Sequence, residues 1–115
     1  MVMQSECERD GRSLRIELLH IDECPHSEEA AERTAEALTA LGLGHIPVHM
    51  RVLRSSADAA GTAFAGSPTI TADGVDIFPA LPVADLACRI YMTPAGPAGL
   101  PTVTQIMEAL EGSGL

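Results

Sequence analysis

The chain has 115 residues, a length that suits one domain around one core. Hydrophobic residues make up 46% of it, too many for a disordered chain, while aromatics reach only 3%, so Leu, Ile, Val, Met and Ala must build the core. A net charge of -9 without any cluster of Lys and Arg argues against nucleic acid as a partner.

No apolar run approaches the roughly 20 residues that cross a bilayer, so no membrane segment is expected. Residues 1–13 are polar, lack the apolar stretch of a secretory signal, and read as a flexible tail ahead of a domain over 14–115. A cytoplasmic location is therefore expected. Three cysteines, Cys7, Cys24 and Cys88, are too few for a disulfide framework. Cys7 lies in the tail, where a functional role is the weaker reading.

Leu14 to Ile21 forms the first expected strand. Leu14, Ile16 and Leu18 alternate with Arg15 and Glu17, and Leu19 and Ile21 then make the run nearly continuous. Such a run suits a strand buried on both faces. A helix is expected from about Pro25 to Leu41, with Glu28 and Glu29 in its first turn and Gly42 and Gly44 marking its end. Ala31, Ala35, Leu38 and Gly42 fall along one side at helical spacing. Ile46 to Leu53 alternates as a second strand, which completes a right-handed βαβ unit.

Ser55 opens a shorter helix, with Asp58 in a capping-box position, running to about Ala65. Thr69 to Ala72 and Val75 to Phe78 read as antiparallel strands joined by Asp73-Gly74, a strong two-residue hairpin signal. Five of the eight prolines fall between Pro79 and Pro101, so regular structure should be sparse there apart from a short segment near Leu86 to Met92. Val103, Ile106, Met107 and Leu110 follow helical spacing, and a closing helix ends at Gly112.

Cys24 is the residue this order singles out. It joins a strand to the start of a helix, where backbone N–H groups lack intrahelical partners and the macrodipole is positive. Thiols in such settings ionise more readily, and the thiolate is the reactive form. Asp22 and Glu23 oppose that effect. His20, Asp22, Cys24 and His26 also alternate, which would put them on one face if the strand continued. Pro25 breaks that alternation. Soft thiolates suit zinc, copper(I) or mercury, and Cys24 with Cys88 is the better soft-metal pair.

The order β-α-β-α-β-β-α, with Cys24-Pro25-His26-Ser27 at the first helix and Gly66-Ser67-Pro68-Thr69 before the third strand, resembles the thioredoxin fold over about residues 14 to 112. The Cys-Pro-His portion is similar to DsbA-type oxidoreductases. Leu86-Ala87-Cys88-Arg89-Ile90-Tyr91 adds a likeness to a family of small bacterial thioredoxin-like proteins, some labelled alkylmercury lyases. The resemblance implies an α/β fold with a four-stranded mixed sheet flanked by helices, a cis Pro68, and thiol-disulfide exchange with Cys24 as the attacking thiol. His26 and Ser27 would tune Cys24, and Ser27 could donate a hydrogen bond to its sulfur.

Ser27 stands where the family carries its second cysteine, and a serine cannot release a mixed disulfide. Cys88 is then the candidate resolving thiol, provided the two Cα atoms lie about 4.4–6.8 Å apart. Ser67 and Pro68 would shape the substrate site, with the Ser67 backbone open to an added strand. The expected partner is a thiol or disulfide substrate, protein or small molecule, and no cofactor is expected. A soft-metal or organomercury thiol-binding protein, or a non-enzymatic thioredoxin-like binding module, are the alternatives left open.

Overall fold

A computed structural model of the chain describes residues 14–83 and 85–113. The tail at 1–13 and its Cys7 lie outside the described residues. The element order is β1 (Ile16–Ile21), α1 (Ser27–Ala40), β2 (Val48–Leu53), α2 (Ser56–Ala59), β3 (Thr69–Ala72), β4 (Val75–Asp76), β5 (Tyr91–Thr93), β6 (Gly96–Ala98) and α3 (Val103–Gly112). The fold is mixed α/β. Four strands form one mixed sheet in the order β2-β1-β3-β4, and β5 and β6 form a separate two-stranded sheet.

β1 is central, as its nearly continuous apolar run implies. It pairs in parallel with β2, from Ile16 opposite Val48 to Ile21 opposite Leu53, and antiparallel with β3. Because side chains alternate across a strand, it feeds two cores. Ile16 and Leu18 join Ile70, Ala72, Ala30, Ala37, Leu38, Ile106 and Leu110 on the face covered by α1 and α3. Leu19 joins Leu53, Ala59 and Phe64 on the other face. β2 lies at the sheet edge, so its alternation buries less: Met50 is 44% exposed.

Several expectations shift. α1 starts at Ser27 rather than Pro25, and His26 occupies its N-cap position without a side-chain cap. Its buried side is Ala30, Thr34, Ala37 and Leu38, a rotation from the expected stripe that leaves Ala35 exposed. Thr34 is tolerated inside because its hydroxyl donates to the Ala30 carbonyl at 2.7 Å. The chain leaves α1 through Gly42 at φ +80°, and the Leu43 amide closes the end on the Leu38 carbonyl at 2.7 Å.

α2 is one turn, not three. Ser55 caps it by accepting from the Asp58 amide, but Ala60 is already extended and Gly61 is left-handed. The Thr62 hydroxyl then takes the Ala59 carbonyl at 2.6 Å, which terminates the turn. β4 is shorter than expected, although the Ile77 amide still reaches the Ile70 carbonyl at 3.0 Å. The hairpin forms as read, with Asp73 and Gly74 both at positive φ.

The Pro-rich stretch contains the β5–β6 hairpin, which hydropathy alone did not mark. Thr93 and Gly96 form its turn, with the Thr93 hydroxyl on the Gly96 carbonyl at 2.7 Å. The Thr102–Gln105 capping box opens α3, and the Gln105 side-chain amide also donates to the Met92 carbonyl at 2.7 Å, tying hairpin to helix. Among the described residues no helix is long and apolar enough to cross a membrane.

Phe64 is fully buried and is the largest side chain of the smaller core. Phe64→Ala is expected to lower folding stability by about 3–5 kcal/mol in urea unfolding. A loss below about 1 kcal/mol would mean that this face closes over the missing ring.

Candidate functional site

The C-terminal end of β1 turns sharply into α1, and the Cys24 amide closes the turn on the Ile21 carbonyl at 3.2 Å. This leaves Cys24 at 7% exposure, ahead of the helix. The Ser27 hydroxyl reaches the Cys24 carbonyl at 3.4 Å, so its recorded partner is the backbone and not the sulfur. The His26 ring packs against Gly99, where any Cβ would collide with it. Neither residue forms a hydrogen bond to the Cys24 sulfur among the described residues. Asp22 turns outward to an exposed ion pair with Arg54 at 3.1 Å, and the His20 ring lies 3.2 Å from the Ile21 carbonyl. Among the described residues, no three His, Cys, Asp or Glu side chains group closely enough to hold a metal ion.

Ser67 is fully buried and precedes Pro68 through a cis peptide bond, the isomer implied for this segment. Its hydroxyl accepts from the Ile21 amide at 3.1 Å, which links it to the Cys24 turn. Its backbone is not open, as a docking edge would require. The Ser67 amide donates to the Ala87 carbonyl at 2.8 Å, and the Arg89 amide donates to the Ser67 carbonyl at 2.9 Å. Cys88 therefore stands in parallel register opposite Ser67. Both Cys24 and Cys88 are free thiols, the first buried and the second exposed.

The segment carrying Cys88 is held by charge. The Arg89 guanidinium bonds Asp76 at 2.8 Å and the Phe78 carbonyl at 2.7 Å, and lies 4.7 Å from the centre of the Tyr91 ring. Tyr91 meets Phe78 edge-to-face at 5.2 Å and donates its hydroxyl to the Pro68 carbonyl at 2.5 Å. The Arg89 and Asp76 side chains are only 9% and 7% exposed. Each needs the other, because an unpaired buried charge is strongly destabilising.

Two groups titrate abnormally. Burial pushes the Asp76 carboxyl above its ordinary 3.8, while the Phe78 amide and Arg89 pull the other way without cancelling it. Burial likewise drives the Tyr91 phenol well above its usual range, with Arg89 opposing and Asp76 and Cys24 adding to the rise. Tyr91 thus stays a neutral donor to the Pro68 carbonyl.

Sequence reasoning quoted Arg89 and Tyr91 within a motif but gave them no role, and it missed Asp76. The available signal was a lone cation in the apolar neighbourhood of Leu86 and Ile90, two positions before the chain's single tyrosine.

No family model matches the chain, and neither the curated proteins nor the solved structures provide a match.

The raised Asp76 pKa fixes a sign for pH dependence. The folded state holds this proton more tightly than the unfolded chain, so the contribution of Asp76 to stability falls as pH rises from below 3.8. In urea unfolding at a series of pH values, the original chain should lose stability relative to Asp76→Asn over that rise. A relative gain would reverse the assigned direction.

Proposed function

We propose that the chain is a thioredoxin-like thiol-disulfide oxidoreductase in which Cys24 attacks and Cys88 resolves. The observation that carries this reading is the role of Ser67. Its hydroxyl holds the turn that presents Cys24, and its backbone brackets Cys88. The sheet order β2-β1-β3-β4 and the cis Ser67–Pro68 bond support the fold assignment. The β5–β6 hairpin ahead of the last helix is an addition to the simple pattern.

The exchange runs in two displacements. The Cys24 thiolate attacks one sulfur of a substrate disulfide, forming a mixed disulfide and releasing the other half as a thiolate that takes a proton from solvent. The Cys88 thiolate then attacks the Cys24 sulfur, the mixed disulfide breaks, and the second half leaves as a thiol. The substrate gains two electrons and the Cys24–Cys88 pair loses them. Two equivalents of an external thiol reduce that pair again and leave as their own disulfide. Ser27 has no part in resolution, and Pro68 shapes the docking surface.

The same pair of free thiols favours a second reading, two-coordinate capture of a soft metal or an organomercurial. Mild oxidation separates the two. An exchange enzyme should lose two hydrogens by mass, form a Cys24–Cys88 bridge that dithiothreitol reverses, and lose that product in Cys24→Ser and in Cys88→Ser. Stoichiometric mercury uptake without a bridge would favour the metal reading. Neither behaviour would leave a binding module.

A further inference from the structure

We infer that the segment from Leu86 to Tyr91 occupies the edge on which a polypeptide substrate would dock, so that the site acts on small disulfides rather than on extended protein strands. The inference rests on the reading of Cys24 as the reactive thiol.

A docking strand needs the Ser67 amide and carbonyl, because main-chain hydrogen bonds supply the affinity of strand addition. Here both are committed to the chain itself, to Ala87 at 2.8 Å and to Arg89 at 2.9 Å. Cys88 stands in parallel register opposite Ser67. The occupation is built in at several points. Arg89 is fixed by Asp76 and the Phe78 carbonyl, and Tyr91 by the Pro68 carbonyl. Gly66, at φ +111°, lets the Arg89 backbone lie against it, since an added Cβ would stand 3.0 Å from the Arg89 Cα.

The remaining approach is narrow. Cys24 is 7% exposed. The turn before it borders an open depression lined by Ile21, Asp22, Glu23, Leu53, Arg54 and Leu86, to which Cys24 itself contributes no wall. Asp22, Glu23 and Arg54 give the rim mixed charge, so neutral probes make the fairest comparison.

The test uses the full chain with Cys7→Ser and Cys88→Ser, which leaves Cys24 as the one thiol, stops resolution and lets the mixed disulfide on Cys24 be read by mass. Two probes share one reacting group. One is bis(2-hydroxyethyl) disulfide, and the other is a linear peptide whose central cysteine is capped as a 2-hydroxyethyl disulfide. Each rate is divided by that of the same probe with free N-acetylcysteine. The small probe should be favoured by at least about tenfold, the effect of two backbone hydrogen bonds that the peptide must displace. Loosening the clamp with Arg89→Lys should raise the peptide rate several-fold and leave the small probe within about twofold.

Equal or faster reaction of the peptide with the clamp intact would overturn the inference while leaving Cys24 a reactive thiol. A peptide rate unchanged by Arg89→Lys, in a folded chain whose Ser67 amide exchanges freely, would overturn it too. Labelling of Cys24 by neither probe would overturn the exchange reading and the inference with it. Should Arg89→Lys fail to fold, the two-probe comparison decides alone.

Discussion

Ser67 is the knot of this structure. A single buried residue ties the end of β1, the start of β3 and the distant segment around Cys88. Its hydroxyl satisfies the Ile21 amide, which has run past the end of β1's pairing with β3, and its own amide and carbonyl are satisfied by Ala87 and Arg89. An unsatisfied buried backbone group is costly. Removing the segment would therefore expose or orphan two of them, which is why a Pro-rich stretch with little regular structure still has a defined path.

Charge then locks what hydrogen bonds align. Arg89 lies inside the protein, against Asp76, the Phe78 carbonyl and the face of Tyr91. Burial costs Asp76 more than its partners return, as the direction of its pKa shows. Such a pair adds little net stability compared with well-packed apolar groups, but breaking it leaves a charge stranded. Its effect is to specify one arrangement. The arrangement it specifies puts Cys88 opposite Ser67 and the Tyr91 hydroxyl on the Pro68 carbonyl.

Local signals made much of the fold legible. The near-continuous apolar run of β1, the Asp73-Gly74 turn and the spacing of Val103 to Leu110 each act over a few residues, and each element formed where it was read. Misreadings came where neighbours decide. The inward side of α1 rotated onto Ala30 and Thr34, because a buried threonine that bonds its own helix looks polar in sequence. α2 stopped after one turn because Thr62 recaptured the Ala59 carbonyl. The β5–β6 hairpin carries no clear alternation, and its place is set by Gln105 and Tyr91 reaching across the chain. At the candidate site, Cys24 and the Ser67-Pro68 segment were legible as motifs. The closing of the Ser67 edge was not, because it joins residues 20 positions or more apart through backbone atoms that every sequence possesses.

The Cys88 segment is held on Ser67 by two backbone hydrogen bonds, and backbone amide exchange tests that contact most directly. In the reduced chain, the Ser67 and Arg89 amides should exchange as slowly as those of β3. Exchange of both at the rate of an exposed loop would contradict that contact, and with it the proposal that Cys88 resolves Cys24.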